Sequence, residues 1–206
     1  MSDSHRQDRA VIVGITGASG AIYAVRTVAA LVEKSTPVEL VVSEFGRRLL
    51  HDELGREAGI DRLEAYLTAR YGVVVPNGGL KIHSNRDVGA SVASGSYPCR
   101  AMVIVPCSMK TLAGVAHGLS RNLIERAADV VLKERRRLVI VPRETPMSLP
   151  QLRNLVLCAE AGASILPAMP AFYQRPETLD DLADFMAGKI LSSLDIEHRL
   201  FSPWTG

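Results

Sequence analysis

Three short clusters in this chain bring together hydroxyls, backbone amides and cations, the groups that hold a phosphate-bearing ligand. The first is Thr16-Gly17-Ala18-Ser19-Gly20. Its small residues let backbone approach a ligand, and amides and hydroxyls at a helix start can bind phosphate. It is not G-x-G-x-x-G, and the second apolar run ends at Ser43 with Glu44 only adjacent, so a mononucleotide is favoured over a dinucleotide. Tight packing alone is the competing reading. The second, Pro106-Cys107-Ser108-Met109-Lys110-Thr111, packs two hydroxyls and a cation into one helix start. A simple N-cap by Ser108, worth about 1 kcal/mol, would explain Ser108 but not Lys110 or Thr111. Both readings stand.

The third cluster, Pro142-Arg143-Glu144-Thr145-Pro146, sets a charged pair between prolines that stiffen the backbone and aim both side chains, although a solvated turn has the same composition. Tyr173, in Phe172-Tyr173-Gln174-Arg175-Pro176, can offer its hydroxyl to an anion or simply pack its ring. Cys107 has no evident His or Asp partner and reads as a small buried filler. Asp180-Asp181-Leu182-Ala183-Asp184 matches the DDxxD pattern of magnesium-dependent prenyl enzymes, but an acidic first turn after Thr178 explains it through the helix dipole. The histidines lack H-x-x-x-H and H-x-H spacing, so no metal is expected. Arg135, Arg136 and Arg137 read as a solvated helix end.

These clusters need elements to position them. Apolar runs at residues 10–16, 37–43, 80–83, 101–106, 138–141 and 164–166 read as strands. Helical spacing marks 20–34, 46–54, 61–71, 111–117, 122–136, 149–161 and 179–194, and residues 84–98 read as a long loop of functional interest. Strands alternating with helices imply a mostly parallel sheet with helices on both faces, a single-domain Rossmann-like or flavodoxin-like α/β fold. In such sheets ligands sit beyond the carboxyl ends of strands, and each cluster follows a strand.

Bulk properties set the frame. With 206 residues, 47% hydrophobic and 22% charged, the chain supports one domain, and a net charge of +2 points to neither nucleic acid nor an acidic membrane as partner. Three cysteines without a C-x-x-C and the lack of a long apolar run suit the cytoplasm. Residues 1–9 are polar and read as a poorly ordered tail before a flavoprotein domain at 10–206.

Together with Ala127-Ala128-Asp129-Val130-Val131-Leu132-Lys133-Glu134-Arg135-Arg136, the clusters resemble the UbiX-type flavin prenyltransferases, in the same order and from Val11 to Trp204. The resemblance implies a flavodoxin-like sheet, FMN bound between subunits, and a large homo-oligomer, commonly a dodecamer. It places Gly17, Ala18, Ser19, Ser43, Ser108, Met109, Lys110, Thr111 and Arg143 against FMN. Lys133, Arg143, Tyr173 and Lys189 would surround the phosphate of dimethylallyl phosphate, with Glu53 and Glu144 beside it. Several relatives carry Arg where this chain has Lys189, a loss of bidentate phosphate contact, and some place Trp in the loop that here reads Arg86-Asp87-Val88.

The implied reaction joins a dimethylallyl group to reduced FMN at the central-ring nitrogen and the neighbouring aromatic carbon, with phosphate leaving. Lys133, Arg143 and Lys189 would stabilise the departing charge in place of a metal. Glu144 would exchange a proton with phosphate while Ser19 and Glu53 orient or relay it. The product would serve a separate decarboxylase. Two rivals share the fold class: a flavin-dependent cysteine decarboxylase, whose expected His and Asn-rich motif are missing at residues 107–111, and an FMN carrier indifferent to dimethylallyl phosphate.

Overall fold

The computed structural model describes residues 9–202. The expected poorly ordered tail lies, apart from Arg9, outside the described residues, as does Trp204 at the far end of the resemblance. In chain order the elements are β1 (Val11–Ile15), α1 (Ala21–Glu33), β2 (Val38–Val42), α2 (Glu44–Leu54), α3 (Leu63–Tyr71), β3 (Leu80–Ser84), β4 (Ala101–Cys107), α4 (Met109–Ala116), α5 (Leu123–Lys133), β5 (Arg137–Pro142), α6 (Leu149–Glu160), β6 (Ser164–Ile165) and α7 (Leu179–Ser193). Each strand and helix read from periodicity is present, with ends displaced by a few residues. The largest displacement is at α5, which stops at Lys133 because Arg135 adopts a left-handed φ of 52°.

All six strands pair in parallel in the order β3-β2-β1-β4-β5-β6. That order reverses between β1 and β4, so a crevice opens at their carboxyl ends. Alternation along β1 explains the layering. Val11, Val13 and Ile15 face a core shared with α1, α3 and α7, whereas Ile12 faces one shared with α4 and α5. β1, β2 and β4 are buried throughout, which is why their sequences are continuous apolar runs. Gly14 lets α5 close on the sheet, since a Cβ there would lie 3.3 Å from Ile124 Cγ2. On the other face Arg26 of α1 bonds Asp184 of α7 and, at 2.8 Å, Glu33.

The segment after β3 is a long loop broken by one 3-10 turn at Ser91–Ala93. It is pinned from beneath: the Tyr97 hydroxyl donates to Glu39, which also bonds His83, and Arg136 donates to the Tyr97 carbonyl at 2.7 Å and the Gly95 carbonyl at 2.7 Å. Arg136 is therefore a half-buried staple rather than part of a solvated end. Only Arg135 and Arg137 of that run are exposed.

Candidate functional site

β1, β4 and β5 deliver their exits to one edge, and α1, α2 and α4 start there, each presenting the positive end of its dipole. Thr16 joins two of these exits. Its buried hydroxyl donates to the Pro106 carbonyl at 2.8 Å and accepts from the Ser108 amide at 2.7 Å. Arg143 joins the third, its Nε donating to the Ser19 carbonyl at 3.0 Å and its amide to the Cys107 carbonyl at 3.3 Å. Ser19, Ser108 and Arg143 are thus brought together as the sequence suggests, and Glu144 follows Arg143 with its carboxylate accepting from the Thr145 amide at 3.1 Å.

The first turn owes its shape to packing as well as to binding. A Cβ on Gly17 would lie 2.5 Å from Phe45 Cβ, so this glycine lets α2 approach, while Ala18 is buried and Ser19 exposed. Gly20 adopts φ 117°, which a side chain would oppose. The amides of Gly20 and Ala21 donate to the Glu53 carboxylate at 3.0 and 2.8 Å. Glu53 therefore occupies the α1 start itself, beside the neighbouring starts of α2 and α4. There Ser43 caps α2 by accepting from the Gly46 amide at 3.0 Å, and Ser108 caps α4 by accepting from the Thr111 amide at 3.3 Å. Ser108 is an N-cap, then, and one whose hydroxyl also reaches the Thr111 hydroxyl at 3.2 Å. Met109 is buried beneath this turn; Lys110 is exposed on it. A donor set of hydroxyls, amides and two cations on an edge rich in helix starts fits a monophosphate ester.

Of the remaining expected phosphate ligands, Lys133 lies at the far end of β5 in the single chain. Lys133 ends α5, before β5 begins, and pairs with Glu134 at 2.6 Å. Arg143 follows the end of β5, so a six-residue strand, about 20 Å at 3.3 Å per residue, separates the two. Tyr173 packs edge-on against Phe185 of α7, with centroids 6.1 Å apart, and Lys189 lies exposed one turn further along that helix. Arg143 and Lys133 cannot share a ligand within one chain.

Other sequence features resolve simply. Cys107 is fully buried, and burial, with Cys158 nearby, pushes its thiol far above the usual range, so it is no nucleophile. Each carboxylate of the DDxxD run is engaged: Asp180 with Arg70 at 2.8 Å, Asp184 with Arg26, and Asp181 with the amides of Thr178 and Glu177 at 2.8 and 2.9 Å. Those amide bonds hold Asp181 below the usual carboxylate range. Among the described residues no group of His, Cys, Asp or Glu is arranged to hold a metal ion. A cavity of about 770 Å³ lies at the opposite edge of the sheet, where Arg100 and Arg137 donate to carbonyls at the end of α7. Sequence reasoning placed Thr16 in the first cluster but not its bonds to the β4 exit, and it did not single out Phe45, 65% exposed beside Gly17.

The sequence matches the family model described as Flavoprotein over residues 1–192. A flavin prenyltransferase UbiX from Halalkalibacterium halodurans is 49% identical over 197 residues, covering 93% of this chain and 91% of that protein. The crystal structure of AnUbiX in complex with FMN and dimethylallyl pyrophosphate has a TM-score of 0.85 and 37% identity, covering 96% of this chain and 98% of the other. A dodecameric FMN-dependent UbiX-like decarboxylase from Escherichia coli O157:H7 has a TM-score of 0.83 at 37% identity, covering 95% and 99%. Across nearly its whole length, therefore, this chain belongs to the flavoprotein family and, within it, to the UbiX flavin prenyltransferases.

Proposed function

We propose that this chain is a flavin prenyltransferase that moves a dimethylallyl group from dimethylallyl phosphate to reduced FMN, and that it acts as a homo-oligomer. The observation that carries the reading is the Arg143–Ser19 contact, which welds the β5 exit, with Glu144, to the phosphate-type turn after β1. It places a fixed cation and an acid beside the switch-point crevice of a chain that aligns end to end with prenyltransferases. Reduced FMN supplies the nucleophilic ring. Gly17, Ala18, Ser19, Ser43 and residues 108–111 form its cradle, with the phosphate at the Ser43 and Ser108 helix starts, because Glu53 fills the α1 start.

The chain's own groups then act on the donor. Breaking the allylic C–O bond concentrates charge on phosphate, and cations fixed before the reaction stabilise that charge more than they stabilise the ground state. Arg143 is such a cation, held on one edge by the Ser19 carbonyl. Lys133, Tyr173 and Lys189 complete the phosphate pocket, with Lys133 reaching it from a neighbouring subunit. Glu144 gives phosphate a proton or takes one, and Glu53 keeps the Ser19–Ala21 turn in place.

Helix α6 supports the oligomer. Only Cys158 is buried in it, while Leu149, Leu152 and Val156 form an exposed stripe at helical spacing, 59%, 45% and 55% accessible. Such a face is the usual mark of a subunit contact. A dodecamer like that of the E. coli relative is the proposed assembly. The prenylated flavin is passed to a separate decarboxylase. With buried free thiols and no helix, among the described residues, long and apolar enough to cross a membrane, we place the enzyme in the cytoplasm.

The test is incubation of purified protein with reduced FMN and dimethylallyl phosphate, without metal, followed by mass measurement of the released flavin. A gain of one five-carbon unit is the expected result. An unchanged mass alongside a working control enzyme removes the assignment, and bound but unmodified FMN would mark a carrier.

A further inference from the structure

We propose that Thr16 is a positioning residue for the flavin site, acting through the two anchor loops it ties together. The proposal rests on FMN being the ligand of this crevice. Thr16 follows β1, at the point where the strand order reverses, and is 1% exposed. Its hydroxyl has one proton to give and lone pairs to receive, and both functions are used. It donates to the Pro106 carbonyl at 2.8 Å and accepts from the Ser108 amide at 2.7 Å, while its own amide donates to Pro106 at 3.2 Å.

These contacts occur where the regular β-ladder can no longer do the work. β1 and β4 pair in register only from Val11↔Ala101 to Gly14↔Ile104, and the β4–β5 register shifts between Ile104 and Cys107. Beyond that irregularity the Pro106–Ser108 backbone is held to β1 by Thr16, and to β5 through the Arg143 amide on the Cys107 carbonyl. Ser108 then begins α4. The Thr16 hydroxyl therefore sets the spacing between the Gly17–Ser19 turn and the Ser108–Thr111 turn, the two halves of the cradle. The one hydroxyl of Thr16 serves both the Pro106 carbonyl and the Ser108 amide. Among the described residues no buried side-chain polar atom lacks a partner.

Valine has the same shape as threonine without the hydroxyl. Thr16→Val leaves the Ser108 amide without its acceptor and the Pro106 carbonyl with only the residue-16 amide, and the loop relaxes to find a partner. A merely structural role would lower melting temperature and leave flavin affinity unchanged in the folded population. A positioning role lowers affinity as well, and serine, which restores the hydroxyl without the methyl, rescues it.

The experiment is fluorescence titration of full-length parent, Thr16→Val and Thr16→Ser protein with FMN, below the melting transition of each. Parent protein that binds no FMN overturns the functional reading itself. With parent binding secured, the expected result is a dissociation constant raised tenfold or more in Thr16→Val and within threefold of parent in Thr16→Ser. A valine variant within twofold of parent, or a serine variant as weak as valine, overturns the positioning role. Should the valine variant not fold, Thr16→Cys, with its weakly bonding thiol, takes its place against serine under the same criteria.

Discussion

Replacing Glu53 tests how the α1 start is built. Its carboxylate accepts from the Gly20 amide at 3.0 and 3.3 Å and from the Ala21 amide at 2.8 Å, at the positive end of a helix that has no side-chain cap of its own. A hydrogen bond to a charged group contributes about 1.5–3 kcal/mol and the dipole about 0.3–1 kcal/mol more. Glu53 is exposed, so solvent screening reduces this, and we take about 2 kcal/mol for Glu53→Ala. For a chain of this length, about 2–4 °C per kcal/mol translates to a melting temperature lower by about 4–8 °C. Glu53→Gln keeps an acceptor and loses the charge, so about half that loss is expected. Thermal unfolding followed by circular dichroism, with FMN titration of each variant, reads both stability and the turn's effect on binding. Raising salt should narrow the gap between parent and Glu53→Gln. A Glu53→Ala protein melting within about 1 °C of parent would refute the claim that this carboxylate holds the turn.

Glu144→Gln should lower turnover at least tenfold while leaving the FMN dissociation constant within about twofold, as general acid–base loss does; equal rates would remove the proton-transfer role. Val156→Glu, on the exposed face of α6, should split the oligomer in sedimentation and abolish turnover, since Lys133 and Arg143 are far apart in one chain; an intact oligomer would exclude that face as a contact. Lys189→Arg should lower KM for dimethylallyl phosphate severalfold by restoring a two-pronged phosphate contact, as measured in initial-rate assays at saturating FMN. Glu125, with a side chain 2% exposed, is subject to burial that raises its pKa, but bonds from Arg121 and Asn122 outweigh that and hold it below the usual carboxylate range. A depressed folded-state value gives stability that is present above about pH 4.3 and lost as pH falls through the folded value, so Glu125→Gln should flatten the acid limb of the stability curve. An unchanged acid limb in urea titrations from neutral pH downward would contradict this.

The order of elements was legible because each strand buried on both faces needs an uninterrupted apolar run, as in residues 101–106, and each helix repeats its apolar positions every three or four residues. The helix starts at Ser108 and Thr178 were readable for a related reason: a cap is local chemistry within four residues. Grouping the site was possible because sheets of this class present their ligands at one edge. Which side chain meets which was not legible. Thr16 to Pro106, Arg143 to Ser19 and Glu53 to Ala21 are bonds between segments far apart in the chain. No pattern of spacing encodes them, because they depend on strand order and on where the β4–β5 register shifts. The same holds for Arg136, whose run of charges looks solvated until the long loop folds back over it. Sequence alone determined the alternation, the caps and the residue types available for binding phosphate. Only the tertiary structure decided that Glu53 fills one helix start, that Lys133 stands a strand's length from Arg143, and that α6 keeps an apolar face uncovered, since each follows from distances in space that the order of residues does not carry.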